Sequence, residues 1–466
     1  MSDNEGPMGT RRLTGRKLVV LAPGAHRASL ASALTGTNLN LVVAADYGGN
    51  VPTEVRDRSD VVLFDRLGTM FVARGSADAA SLLSRLDIEG QIIAVEDEGY
   101  VYATGAPWAP GDYLRGYREG VRGLVDHLLG APPREPGAPR LGPLAAESAS
   151  ARDALLAAAT SSACALPDAS ATRTLGGEGA SPMVRGFDES MATWGLQAIG
   201  AARSPFTGRG VKVAVLDTGY DIHHHDFMGR DIVTQSLVTN EDINDWHGHG
   251  THTAGTLGGP LSPSFGPRYG VASEAELHIC KVLDNCGVGR DNDVLNGINW
   301  ALEKGCRVIS MSLGAPTERP LATYTFIGRR ALEQNAIIIA AAGNASRRSQ
   351  GFISPTQSPA NAETIFAVAA VDAGRSVADF SSGRKIEIAA PGVQIYSSYR
   401  CDGYRSLNGT SMAAPHVAGV AALLMQANPG MSAGDIWMLL LASALRLDAR
   451  REDVGAGLVQ APTGRR

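Results

Sequence analysis

Gly409-Thr410-Ser411-Met412-Ala413-Ala414-Pro415-His416-Val417-Ala418-Gly419 is a turn of small residues that runs straight into an apolar stretch, Val417 to Met425. An uncharged apolar run of this length reads as a buried helix. Pro415 is expected in its first turn, where a missing N–H costs nothing. Ser411 then sits at a helix N-terminus, among unpaired backbone N–H groups that favour developing negative charge. A serine so placed is a candidate nucleophile. Taken alone, the plainer reading is an N-cap on a core helix.

Two further stretches change that reading. Val213-Ala214-Val215-Leu216-Asp217-Thr218-Gly219 is an apolar run that ends in an acid and a glycine turn, a buried strand delivering Asp217 at its C-terminal end. His247-Gly248-His249-Gly250-Thr251-His252-Thr253-Ala254-Gly255 places a histidine at the start of a second small-residue helix. A serine hydroxyl is inert at neutral pH until a base takes its proton, and that base must be oriented by a third group. Asp, His and Ser follow one another here in the subtilisin order, unlike the orders of chymotrypsin or the α/β-hydrolases.

With these stretches the chain strongly resembles the subtilisin-like serine proteases, the subtilases, over roughly residues 188 to 460. The matching blocks are VAVLDTG, HGHGTHTAGT and GTSMAAPHVAG, with a fourth at Ala340-Ala341-Ala342-Gly343-Asn344. The resemblance implies that Ser411 attacks, His249 relays its proton, and Asp217 orients the imidazole. It also implies that Asn344 and the Ser411 N–H bind the oxyanion. Ser312-Leu313-Gly314 resembles the family's specificity-pocket strand and Gly287-Val288-Gly289 the strand opposite, with a polypeptide substrate lying between them as an added strand. Ala341, Ala342 and Gly343 are expected to line the pocket, whose floor falls within residues 352 to 360. No charge is visible in the pocket stretches, so an uncharged residue of medium or large apolar size is expected before the scissile bond.

The fold expected for this part is α/β, a doubly wound parallel sheet with helices on both faces. Strands are read at Val211–Leu216, Leu277–Leu283, Arg307–Leu313, Ala336–Ala342 and Ile365–Val371. Helices are read at Asn292–Glu303, Tyr324–Gln334 and Val417–Met425. A final helix starts at Ser432 with Asp435 in the capping-box position.

Ahead of this catalytic domain (188–466) the reading gives three segments: a tail (1–16), a small α+β domain (17–104) and a linker (105–187). In the small domain, strands at Lys17–Leu21, Asn38–Ala44, Thr69–Ala73 and Gln91–Val95 alternate with helices at Ala25–Leu34 and Ala77–Leu86, a split βαβ pattern. Its last stretch, Ile92 to Ala103, looks like the tail of a subtilase inhibitory propeptide, while residues 46 to 68 are an extra segment. The linker opens with an amphipathic stretch, Asp112 to Leu129, and turns rich in Ala, Pro, Gly and Ser. It separates the two domains by about eighty residues.

Composition excludes other classes. The 42 basic and 47 acidic residues give a net charge of −5 with no basic block, so nucleic acid is not an expected partner. No apolar run approaches a membrane span. The run Leu18 to Ala22 ends at Pro23, too short for a secretory signal core. Together with five scattered cysteines, this points to synthesis in the cytoplasm and no disulfide framework, leaving export by an unconventional route open. The histidines 223 to 225 match no zinc spacing. Although Asp226 stands at a calcium-ligand position of the family, the loop 259–266 lacks the oxygens a hard cation needs, so no metal or cofactor is expected. The chain is therefore read as a serine endopeptidase made as a self-inhibited precursor. The same acyl-enzyme serving a ligase or macrocyclase is the alternative, and a silent scaffold has no use for an intact triad.

Overall fold

A computed structural model describes residues 11–25, 27–48, 51–73, 77–104, 186–317 and 319–464. The expected helix at Asp112–Leu129 and almost all of the linker lie outside the described residues.

Five strands build the N-terminal part. Strand β1 (Leu13–Leu21) leads through a helix (Arg27–Ala33) to β2 (Leu41–Val43). A short helix (Thr53–Asp57) then precedes the hairpin β3 (Val61–Phe64) and β4 (Thr69–Val72). The helix Ala77–Ile88 returns the chain to β5 (Ile92–Ala103). The order is β5-β1-β4-β3-β2, antiparallel except for the edge pair β2 and β3. The split βαβ core is present, but its second strand is Val61–Phe64 and not Asn38–Ala44. The latter contributes only a three-residue edge strand, because the hairpin signal lies in Asp65-Arg66-Leu67-Gly68. Nor are residues 1–16 all tail, since β1 starts at Leu13 and Arg11 pairs with Asp291.

Period-2 alternation explains how this sheet is used. Val19, Leu21, Val61, Leu63, Met70 and Val72 face the two longer helices and form the domain's own core with Leu30, Leu82 and Leu86. Leu18, Val62, Phe64 and Phe71 point to the other face and join the core of the catalytic part.

That part is built on a parallel sheet of seven strands. In chain order they are β6 (Lys212–Asp217), β7 (Val233–Ser236), β8 (Glu276–Lys281), β10 (Val308–Met311), β12 (Ile337–Ala341), β13 (Phe366–Val371) and β14 (Ile388–Pro391). Two short strands interrupt the series, β9 (Val288–Arg290) and β11 (Leu313–Gly314). The spatial order is β14-β13-β12-β10-β6-β8-β7. The edge strands β7 and β14 escape sequence reading because Val233–Ser236 is mostly polar and largely exposed, and Ile388–Pro391 is alanine-rich and ends in a proline. The central strands are buried on both faces, which is why they read as unbroken apolar runs.

The helix Thr410–Ala427 runs through the interior, with every residue from Thr410 to Met425 buried. Pro415 is its sixth residue, not part of its first turn, because the helix begins seven residues before the apolar run. The proline cannot donate to the Ser411 carbonyl, and Ser312 Oγ donates to that carbonyl instead at 2.8 Å. The helix Ala433–Ser443 starts with the expected capping box of Ser432 and Asp435. Cys280 and Cys306 are buried thiols, whereas Cys401 is disulfide-bonded, against the expectation of a chain without disulfides. Among the described residues no helix is long and apolar enough to cross a membrane.

Candidate active site

In open parallel sheets, ligand sites form beyond the carboxyl ends of the strands, where the strand order reverses. Here β6 ends at Asp217, β10 runs out to Ser312, and β12 leads to Asn344. The reversal falls around β6, since β8 and β7 lie on one side of it and β10, β12, β13 and β14 on the other.

Asp217 is fully buried and accepts three hydrogen bonds: from His249 Nδ1 at 2.7 Å, the Thr218 N–H at 2.7 Å and Thr253 Oγ1 at 3.1 Å. The Nδ1 bond fixes the tautomer, leaving Nε2 as the basic nitrogen. Burial opposes a charge on His249, but the Asp217 carboxylate outweighs it and raises the imidazole's pKa above its ordinary value.

His249 opens the helix His249–Gly258, whose first turn is held by a second buried acid. Asp245 accepts from the Gly248 N–H at 2.8 Å, the Thr251 N–H at 2.8 Å, Thr251 Oγ1 at 2.7 Å and Thr218 Oγ1 at 2.9 Å. Thr218 Oγ1 in turn accepts from the Gly250 N–H at 2.8 Å. These contacts satisfy the free N–H groups of the helix start and set the imidazole over Asp217. Although burial works against ionisation, the Lys281 charge and these donors hold the Asp245 carboxyl below its usual range. Gly250 allows the approach, because a Cβ there would lie 2.1 Å from the Gly219 carbonyl oxygen. The sequence pattern did not single out Asp245, Thr218 or Lys281. The readable signal was an acid just ahead of a helix start.

Ser411 and Asn344 meet on one atom, the carbonyl oxygen of Thr104. Ser411 Oγ lies 2.5 Å from it, and Asn344 Nδ2 donates to it. The asparagine is held by its own oxygen, which accepts from the Thr410 N–H and Thr410 Oγ1, both at 2.9 Å. No sequence pattern marks Thr410 for this role. Among the described residues no bond from the Ser411 N–H reaches the carbonyl, and His249 Nε2 has no partner. The serine hydroxyl instead faces Thr104 O, Thr104 Oγ1 at 2.6 Å and Ser312 O at 3.1 Å.

Thr104 arrives at the end of β5, and the two expected binding strands flank it. Leu313 and Gly314 pair antiparallel with Ala103 and Tyr102 on one side. On the other side Val288, Gly289 and Arg290 pair with Tyr102, Val101 and Tyr100, and the Ala103 N–H donates to the Gly287 carbonyl at 2.9 Å. The Thr104 N–H donates to the Ser312 carbonyl at 3.2 Å. Gly287, Val288, Gly289, Ser312, Leu313 and Gly314 are thus all brought to one extended segment, which belongs to the chain itself.

Ala341, Ala342 and Gly343 are buried, and among the described residues none of them donates a hydrogen bond to β5. Gly343 takes φ +107°, and a Cβ there would lie 2.6 Å from Gln357 Oε1. The same oxygen would be 3.3 Å from a Cβ on Gly314. A polar amide, from within the 352–360 stretch expected to supply the floor, therefore stands between the two pocket glycines.

Two carboxylates dock β5 further. Glu96 accepts from the Ala322 and Thr323 N–H groups, at 2.7 and 2.9 Å, capping a helix (Ala322–Glu333) with no side-chain cap of its own. Glu98, buried and pushed above its usual carboxyl pKa by that burial, accepts from the Asn292 N–H at 3.2 Å.

The Subtilase family matches residues 208–459, more than half of the chain. This chain is a subtilase. Subtilisin DY of Bacillus licheniformis is 39% identical over 244 residues, covering 52% of this chain and 86% of that protein. Subtilisin Savinase of Lederbergia lenta is 40% identical over 279 residues, 59% of this chain and 98% of the relative. The M-protease of Shouchella clausii strain KSM-K16 is 41% identical over 279 residues, 59% and 70% of the two. The subtilase is accordingly a subtilisin-like serine endopeptidase with an α/β fold. The family match leaves residues 11–104 outside it.

Asp226 accepts hydrogen bonds from the Ser264 N–H and the Tyr269 and Tyr404 hydroxyls. Among the described residues no group of three or more His, Cys, Asp or Glu is placed to hold a metal ion.

Proposed function

We propose that this subtilase cuts polypeptides with Ser411, His249, Asp217 and Asn344, and that its own N-terminal domain holds it latent by lying in the cleft as a substrate does. The observation that carries the reading is the Thr104 carbonyl, within reach of Ser411 Oγ and accepting from Asn344 Nδ2.

The chemistry follows from the donors. His249 Nε2 takes the Ser411 proton as Oγ bonds to the substrate carbonyl carbon, and Asn344 stabilises the oxygen that becomes negative. The C–N bond breaks and His249 returns the proton to the leaving amine. Water then gives a proton to His249 and its oxygen to the acyl carbon. The ester bond breaks and Ser411 recovers its proton, so that one water is consumed for each peptide bond. Asp217 keeps Nε2 as the basic nitrogen throughout and stabilises the imidazolium.

Thr104 holds the position before the scissile bond, so the first bond to be cut is the one that follows it. While Ser411 Oγ is engaged by Thr104 and Ser312, the proton relay to His249 is not assembled. The gap between Gly314 and Gly343, with Gln357 at its wall, suits an uncharged side chain.

Intact mass and casein hydrolysis test this on the full chain. Wild type is expected to separate into pieces cut after Thr104 and to gain activity when the N-terminal piece is removed. Ser411→Ala is expected to stay whole and inactive. Wild-type turnover in that variant, or full activity of the uncut chain, would overturn the reading.

A further inference from the structure

The side chain before the scissile bond has two backbone walls to pass between, β11 with Gly314 and the end of β12 with Gly343. Residue 357 is tied to both. Its N–H donates to the Ala342 carbonyl at 2.9 Å, and its carbonyl accepts from the Asn361 N–H at 2.9 Å. The next residue, Ser358, exchanges two hydrogen bonds with Ala315, at 2.8 and 3.0 Å. The backbone of Gln357 is thus pinned across the pocket, and the direction in which its side chain leaves is set. A Cβ on Gly314 would lie 3.4 Å from Gln357 Cβ and 3.3 Å from Oε1. A Cβ on Gly343 would lie 2.7 Å from both Cγ and Cδ and 2.6 Å from Oε1. Neither wall has a Cβ here, and the Gln357 side chain takes up the room that this leaves.

We propose that Gln357 is the specificity-determining residue of this pocket, closing it so that only a small residue, Ala, Ser or Thr, is accepted before the scissile bond. The inference rests on the endopeptidase reading above and names its substrate class, polypeptides cut after small residues. It replaces the medium or large apolar residue that the uncharged pocket stretches suggest.

Two effects act in the same direction. Glycines on both walls would let a long side chain slide between the backbones, but that space is already filled. A ring or a branched chain would have to push Gln357 out of a gap whose walls are hydrogen-bonded strand ends, and packed regions do not widen by that much. A long apolar side chain would also cover the amide while offering it no bond, whereas a short one leaves it to water. The chain's own residue at this position obeys the limit. Thr104 turns its Oγ1 to Ser411 Oγ at 2.6 Å and to the Ser312 carbonyl at 3.3 Å, toward the nucleophile.

The test uses the full chain as wild type, Gln357→Gly and Gln357→Met. Each is given peptides that differ only in Ala, Thr, Leu or Phe before one cleavable bond, and mass spectrometry of the products gives kcat/KM. Wild type should cut after Ala and Thr better than after Phe by on the order of 100-fold, and Gln357→Gly should remove most of that difference. Gln357→Met, which keeps the length and loses the amide, should stay near wild type. The chain's own bond gives a second readout by intact mass. Thr104→Phe should slow the cut after residue 104 by on the order of 100-fold, and adding Gln357→Gly should restore it. Wild-type preference for Phe or Leu over Ala and Thr overturns the proposal, as does self-cutting of Thr104→Phe at the wild-type rate. So does acceptance of Phe by Gln357→Met as readily as by Gln357→Gly. If wild type cuts neither the peptides nor the bond after Thr104, the endopeptidase reading fails and this proposal falls with it.

Discussion

The two sheets of this molecule bury their faces differently. The catalytic sheet is parallel and covered on both sides by its own chain, so each central strand is a continuous apolar run followed by a functional residue. The N-terminal sheet is antiparallel and covers one face with its own helices, while the other face lies against the catalytic part. Both faces of β3 are fully buried, Val61 and Leu63 on one side and Val62 and Phe64 on the other, yet only one of them belongs to the domain's own core. A domain whose second face is completed by another part of the chain is built for an interface.

The site itself can break this comparison most sharply. Ser411→Ala should lower casein turnover by more than about 10⁴-fold while leaving both sheets intact, since removal of a triad member leaves only binding and oxyanion stabilisation. Thermal unfolding alongside the assay separates lost chemistry from lost fold. Asn344→Ala comes next, with a loss of about 10²–10³-fold in kcat, the range for removing this kind of donor in subtilisin. Because Asn344 Oδ1 also receives two bonds from Thr410, part of the loss should come from a less ordered helix start. Asn344→Asp keeps that acceptor and removes the donor, and an equal loss of kcat in Asn344→Asp would assign the effect to the oxyanion.

How much of this was legible depended on the kind of constraint. The strands ending at Asp217 and before Asn344 and the helix starts at His249 and Ser411 could be read from apolar runs bordered by small residues, whereas the two flanking strands could be read only through the family resemblance that those blocks carry. The groups that hold them could not. Asp245, Thr218 and Thr410 act through side-chain oxygens that accept from backbone N–H groups 3 to 67 residues away, and no local pattern marks such partners. Gln357 reaches the pocket from a loop whose register only the fold sets. In the N-terminal domain β3 was hidden because Val61–Phe64 is a short apolar run without alternation, which is what burial on both faces produces.

Acid should weaken the catalytic sheet's surroundings by a few kcal/mol. Burial lowers His416 and His247 to about 4, the latter helped by the neighbouring His249, and lowers His252 to about 3. Between pH 6.5 and 5 the unfolded chain binds protons at these three positions that the folded chain does not, so stability falls as pH falls. His249 works the other way. Its raised pKa gives stability that is full below pH 6.5 and is lost as pH rises through the folded value. One such histidine is set against these three and against His278, which burial also lowers, so the melting temperature of Ser411→Ala should drop on acidification from pH 6.5 to 5. An unchanged or rising melting temperature would contradict these assignments.

The smallest effect tests the interior helix. Pro415 has no N–H for the Ser411 carbonyl, and Ser312 Oγ fills the gap at 2.8 Å. Ser312→Ala leaves a buried carbonyl unsatisfied and should cost about 1–3 kcal/mol. Pro415→Ala supplies the missing helical donor and, through the freer unfolded chain, should shift stability by only about 0.4–1 kcal/mol. In the double variant the new N–H takes over the work of the lost hydroxyl, so the cost of Ser312→Ala should shrink by about 1 kcal/mol or more. The cycle is best run in the Ser411→Ala background, which removes self-digestion and keeps the backbone carbonyl in question. Strict additivity of the two substitutions would show that Ser312 steadies the site by some route other than the carbonyl that the proline leaves open.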